Sequence, residues 1–140
     1  MTKLDIAIQY CFTLVNIPYR WGGDDPIAGF DCSGGVQEIL AVMGVDPPGD
    51  QTAHDLYLTF KRYRVKDEIH AGCLIFYGKE SRITHVGFSI GDGVMFEFGG
   101  GGSATKTEGE AIVQNAYGRL RPINRRKDFV CACDVIKAIR

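Results

Sequence analysis

Two residues of this chain have the chemical type and setting for nucleophilic catalysis. Cys32 lies in Phe30-Asp31-Cys32-Ser33-Gly34-Gly35-Val36, and His85 lies in Ile83-Thr84-His85-Val86-Gly87. Cys32 stands between Asp31, a capping-type residue, and an apolar run from Val36 to Met43 that reads as a helix. A cysteine at a helix N-terminus meets the positive end of the macrodipole, which favours thiolate over thiol. The thiolate is the attacking form, and an adjacent imidazole can take its proton. On this reading Cys32 is the nucleophile and His85 its base. Pro18-Tyr19-Arg20-Trp21-Gly22-Gly23, just upstream, supplies aromatics and glycines suited to lining a cleft. The plainer alternative is that Cys32 is a small core residue and His85 a satisfied polar group on a strand. Spacing alone leaves both open.

A dyad of this kind needs a third group to hold the other ring nitrogen and fix the tautomer. Thr84 to Ile90 and Val94 to Phe98 read as strands, and Gly91-Asp92-Gly93 between them is a hairpin signal. A three-residue loop sets Ile90 opposite Val94 and Gly87 opposite Glu97. Glu97 is then a diagonal neighbour of His85 on the same face, within reach of a long side chain. A two-residue turn would send Glu97 to the opposite face.

The elements that must position these groups follow from the apolar pattern. Leu4 to Val15 suits a helix with one buried face, ended by Pro18. The segment to Gly29 is a loop punctuated by Gly22, Gly23, Pro26 and Gly29. A second helix starts at Cys32 and stops near Gly44. Gly34 and Gly35 in its first turns cost about 1 kcal/mol each against alanine, tolerable where another backbone or a substrate approaches closely. Thr52 caps a third helix to about Arg62. From Gly72 the pattern changes to strands: Cys73 to Tyr77, the hairpin just described, then Leu120 to Ile123 and Phe129 to Ile136. Glu108 to Ala116 is ambiguous, and Gly99 to Thr105 reads as a flexible loop beside the cleft. Helices first and strands afterwards give an α+β fold with an antiparallel sheet, in one domain over residues 1–140.

Composition narrows the function classes. A formal net charge of -1 gives no general case for nucleic acid or membrane surfaces. Arg119, Arg121, Arg125, Arg126 and Lys127 form a local basic run, read here as a solvated loop, with an anionic polymer as the alternative partner. His54 and His70 read as surface or supporting residues. The five cysteines, Cys11, Cys32, Cys73, Cys131 and Cys133, show no disulfide framework and read as reduced thiols. Cys131 and Cys133 share one face of a strand, as core. Neither cysteines nor histidines show ligand spacing, so no metal or cofactor is expected. No run approaches the ~18 apolar residues of a membrane span. The start does not read as a signal peptide, so synthesis in the cytoplasm is the expectation.

Pro18-Tyr19-Arg20-Trp21-Gly22-Gly23, Phe30-Asp31-Cys32-Ser33-Gly34, Gly72-Cys73-Leu74-Ile75-Phe76 and His85-Val86-Gly87-Phe88-Ser89-Ile90-Gly91-Asp92-Gly93 occur in that order. Together, over residues 4–100, they resemble the NlpC family of papain-like bacterial cell-wall cysteine peptidases. The resemblance implies a papain-like α+β core, with the cysteine heading a helix packed on an antiparallel sheet. It implies hydrolysis of peptidoglycan stem peptides, typically D-glutamyl to diaminopimelate or lysine, through a thioester. Cys32 then matches the nucleophile, His85 the base, and Glu97 the orienting residue. Tyr19 matches a cleft tyrosine, and Asp31 and Ser33 match contacts to the stem peptide's free amino end. Trp21 joins them as a substrate-lining aromatic, and the Cys32 N–H is the implied oxyanion donor.

Three positions depart from the family's pattern. Glu97 replaces a usual His, Asn or Gln and adds charge, which should raise the His85 pKa. Gly35 replaces a bulky apolar residue, suggesting altered packing or a wider cleft. Cys73 replaces the aspartate of a Gly-Asp-Leu turn.

The leading expectation is a monomeric peptidoglycan hydrolase acting on stem peptides or muropeptides, without nucleic-acid partners. It would reach the wall through phage lysis, a phage tail or a secretion route, or act on muropeptides in the cytoplasm. Two alternatives stay open. One is Cys–His acyl transfer or deamidation on the same fold. The other is a catalytically weakened wall-binding or tail-assembly domain.

Overall fold

A computed structural model describes residues 1–20, 22–25, 29–99 and 105–139. Trp21, Pro26 and the Gly100 to Ala104 part of the expected loop lie outside the described residues.

Each helix begins where a side chain satisfies first-turn amides. Thr2 and Asp5 form a capping box at α1 (Lys3–Thr13), and Thr52 and Asp55 form another at α3 (Ala53–Phe60), which continues as a 3-10 turn to Tyr63. Asp31 caps α2 (Cys32–Met43), and Gly44, in the left-handed region at φ 74°, ends it. The apolar pattern of α1 carries to Val15, yet the helix stops at Thr13. Asn16 takes φ 70°, and the chain after it runs alongside β6 (Tyr117–Pro122). The Asn16 and Tyr19 amides donate to the Gly118 and Ala116 carbonyls at 2.8 and 3.0 Å, and Pro18 bridges Tyr117. This pairing fixes Tyr19 at the cleft. Two short strands, β1 (Asp24–Asp25) and β2 (Gly29–Phe30), lead into α2.

The remaining strands are β3 (Cys73–Lys79), β4 (Arg82–Gly91), β5 (Val94–Gly99) and β7 (Phe129–Asp134). With β6 they form an antiparallel sheet in the order β6-β5-β4-β3-β7, the α+β architecture expected. The ambiguous stretch is α4 (Glu108–Gln114), and the last part of the expected closing strand is a 3-10 turn from Val135 to Ala138. Period-two alternation divides the sheet's side chains. Leu74, Phe76, Val86, Phe88, Phe96 and Phe98 join the helices in the main core, while Cys73, Ile75, Tyr77, Met95, Ile123 and Ala132 form a smaller cluster on the other side. No helix among the described residues is long and apolar enough to cross a membrane.

The two glycines after Ser33 have different neighbours within the chain. A Cβ on Gly34 would sit 2.3 Å from the Gly23 carbonyl oxygen, so the cleft loop's own backbone is the close approach. A Cβ on Gly35 would sit 2.3 Å from Cδ2 of Phe98. Of the two expectations for Gly35, the structure has altered packing: the Phe98 ring fills the space. Gly35→Ala would gain up to ~1 kcal/mol of helix propensity, but it must displace a buried ring, at about 1–3 kcal/mol. Thermal denaturation should show a net loss, with a melting temperature lower by several degrees. Adding Phe98→Leu should recover part of it.

Candidate active site

The hairpin that carries His85 and Glu97 reaches the expected pairing by a different route. Its turn is the two-residue kind: Gly91 opposes Val94, and Asp92 and Gly93 both have positive φ, at 55° and 75°. By itself this turn would have reversed Glu97. A bulge between Ser89 and Gly91 absorbs one residue, so that Ser89 pairs with Met95 and Phe88 with Phe96. Continued inward, that register sets Gly87 across from Glu97, and His85 shares its face.

The side chains meet there. Nε2 of His85 lies 2.7 Å from Oε2 of Glu97, and both residues are buried, at 6% and 1% exposure. The carboxylate therefore accepts the Nε2 proton and leaves Nδ1 for the sulfur of Cys32. Burial pushes the His85 imidazole down, but hydrogen bonding and charge from Cys32 and Glu97 outweigh it and raise the ring to about 9. Burial likewise opposes ionisation of Glu97, yet His85, Arg125 and Arg121 hold it below the usual carboxylate range. Among the described residues Oε1 of Glu97 has no hydrogen-bond donor but faces Nη1 of Arg125 at 3.5 Å. Position 99 is tight beside this carboxylate, since a Cβ there would lie 3.0 Å from Oε2. Tyr77, the cross-strand partner of His85, lies with its ring centroid 5.7 Å from the imidazole, and its hydroxyl donates to the Ile123 carbonyl at 2.7 Å.

Cys32 is half-buried at the first position of α2, where the backbone N–H has no intrahelical acceptor. The loop before it is tied to Asp31: Oδ1 accepts the Gly34 N–H at 2.6 Å and the Ser33 hydroxyl at 3.3 Å, and Oδ2 accepts the Gly22 N–H at 3.0 Å. Burial pushes the Asp31 carboxyl up, against these three donors. Asp31 is thus the tie between cleft loop and helix, as well as a charge on the cleft wall. Asp31→Ala should cost about 2 kcal/mol, a large cap effect because the loop is released with the helix end. Urea denaturation measures this. Burial also pushes the Tyr19 hydroxyl well up, with Cys32 and Asp31 adding to the effect.

These residues line one cleft of about 780 Å³, which brings together Tyr19, Asp31, Cys32, Ser33, His85 and Glu97. Trp21 lies outside the described residues. The same cleft holds Arg82, Arg125, Arg126 and His54. The Arg119 to Lys127 run is therefore not a solvated loop: Arg119 pairs across the sheet with Glu97, and Arg125 and Arg126 reach the cleft from the turn after β6. His54 accepts the Ile83 N–H at 3.0 Å on Nδ1, whereas His70 lies away from the cleft, 3.3 Å from Asp134. Cys73 is buried beside His70, and Cys131 and Cys133 are buried in the core with sulfurs 4.0 Å apart. Among the described residues no group of three or more His, Cys, Asp and Glu side chains converges as a metal site.

Chemically, the arrangement can generate a thiolate, hold an imidazolium beside it, and present a helix-terminal amide to a developing oxyanion. The NlpC/P60 family profile matches residues 16–121. Over 82 residues the chain is 44% identical to the bifunctional muramidase/DL-endopeptidase CwlT of Bacillus subtilis (strain 168), covering 56% of this chain and 24% of that protein. The chain thus spans about a quarter of the length of that curated relative. The P60 domain of antigen MAP1204 from M. avium subspecies paratuberculosis superposes with a TM-score of 0.70 at 26% identity, covering 96% of this chain and 95% of that one. RipD from Mycobacterium tuberculosis, described as a non-catalytic NlpC/p60 domain protein adapted to peptidoglycan binding, gives a TM-score of 0.72 at 21% identity, with 96% and 98% covered. At that identity the likeness is one of fold.

Proposed function

The chain belongs to the NlpC/P60 family, and on that premise we propose that it hydrolyses an amide bond in peptidoglycan stem peptides, with Cys32 as nucleophile and His85 as proton carrier. The observation that carries this reading is the His85–Glu97 pair, buried and joined at 2.7 Å, in one cleft with a cysteine at a helix start. The Cys32 sulfur attacks the scissile carbonyl carbon, and the oxyanion takes the Cys32 N–H. His85 gives its Nδ1 proton to the departing amine as the C–N bond breaks. Water then adds to the thioester, His85 takes its proton, and a carboxylate is released as the thiol re-forms. The relative named a DL-endopeptidase supports a D-to-L junction, and D-glutamyl to diaminopimelate is the bond proposed. The proposal includes delivery to the wall by phage lysis, a phage tail or a secretion route.

The test is mass spectrometry of a defined stem peptide treated with the protein. Hydrolysis adds one water across the two products; transfer to an added amine conserves the acyl group in a new amide; deamidation changes the mass by the exchange of NH₂ for OH. Either of the last two outcomes, with no hydrolytic products, replaces the hydrolase reading. An unchanged peptide favours the wall-binding alternative.

A further inference from the structure

The cleft carries both signs of charge. Asp31 stands next to Cys32, while the cations come with the histidine: Arg82 is on the same strand as His85, His54 is tied to that strand through the Ile83 N–H, and Arg125 reaches Glu97, with Arg126 next in the chain. These cations are not equally available. Arg125 faces Glu97 at 3.5 Å. Arg126 donates to both Asp128 carboxylate oxygens, at 3.0 and 2.9 Å, and lies over the Tyr77 ring. Arg82 begins β4 three residues before His85 and is exposed, and among the described residues no carboxylate is in ion-pair contact with it. Next to it, the Ile83 N–H occupies Nδ1 of His54, so a neutral His54 ring carries its proton on Nε2 as a donor on the cleft wall.

The chemistry fixes which part of a substrate meets this end. His85 must protonate the leaving amine, so the residue contributing that amine lies on the histidine side, beside Arg82. A guanidinium that no described carboxylate pairs with, next to the N–H donor of His54, suits a planar anion such as a carboxylate. Building on the hydrolase reading, we propose that the His85 end of the cleft is a carboxylate subsite with Arg82 as its main ligand. It selects stem peptides whose amine-side residue carries free carboxylates over those in which these are carboxamides.

The test uses two peptides, L-Ala-γ-D-Glu-diaminopimelate with both diaminopimelate carboxyls free, and the same peptide with both as carboxamides. Wild type should cleave the first with a kcat/KM about tenfold higher or more, the size of one charge-assisted contact. Added salt should narrow the ratio, since Arg82 is exposed. Arg82→Gln should bring the ratio to within about twofold of one. Equal rates for wild type, or an unchanged ratio in Arg82→Gln, overturns the subsite. Calorimetric binding of the two peptides to Cys32→Ala and to Cys32→Ala/Arg82→Gln separates this inference from the one beneath it. If wild type cleaves neither peptide, the hydrolase reading fails. The carboxylate preference in binding, present with Arg82 and absent without it, then upholds the subsite, and equal binding by both proteins overturns it.

Discussion

Cys32→Ala is expected to reduce cleavage of a defined stem peptide by roughly 10⁴–10⁶-fold, the scale seen when a nucleophile that acts as a unit with its base is removed. The residual rate would come from binding and the oxyanion donor alone. The fold should survive, because Cys32 is half-buried at the first position of α2 and the cap is made by Asp31, not by the sulfur. A melting temperature within a few degrees of wild type is therefore expected, so lost activity can be assigned to lost chemistry. Substantial retained cleavage would remove Cys32 from the mechanism, whatever its position.

The second large effect is at Glu97. With His85 raised to about 9, the wild-type kcat/KM should fall on an alkaline limb near that pH as the imidazolium is lost. Glu97→Gln keeps an acceptor for the Nε2 proton and removes the charge. The limb should move down by roughly 1–2 units, with activity at neutral pH largely kept. Glu97→Ala removes both charge and tether, and about a hundredfold loss is expected. An alanine variant with wild-type rate and an unmoved limb would exclude Glu97 as the orienting group.

The pair also gives stability a pH dependence with a definite sign. The His85 pKa is raised on folding, so its contribution is full below the ordinary histidine value of about 6.5 and is lost as pH rises toward 9. Glu97 is depressed on folding, so its contribution is present above the ordinary carboxylate range and is lost on acidification. Denaturation midpoints in wild type should therefore decline on both sides of mildly acidic pH, and the decline should be shallower in Glu97→Gln.

Much of this arrangement is legible in the chain because it is local. A capping residue before an apolar run defines the start of α2, and alternation defines the strands. Glu97 is legible only through register. The expected three-residue loop and the observed two-residue turn plus bulge differ in form but place the residue on the same face. Gly35 illustrates the opposite limit: a missing side chain can be seen in the sequence, but the ring that fills its place, Phe98, lies 63 positions away. The cleft arginines and His54 are harder still. Nothing near Arg125 or Arg126 in the chain indicates that the turn after β6 returns over Glu97. His54 reads as one more polar residue on an amphipathic helix until β4 is laid against it.

The bulge before the hairpin turn also bears on how this segment tolerates insertions and deletions. Ile90 is the residue without an opposite number in the pairing of β4 with β5. Deleting it would leave Ser89 facing Met95 and Gly91 facing Val94, with the acid still beside the histidine. Deleting one residue between His85 and Ser89 instead would rotate the imidazole to the far side of the sheet. Hairpins one residue shorter than this one can therefore carry the same chemistry, provided the residue lost is the spare one.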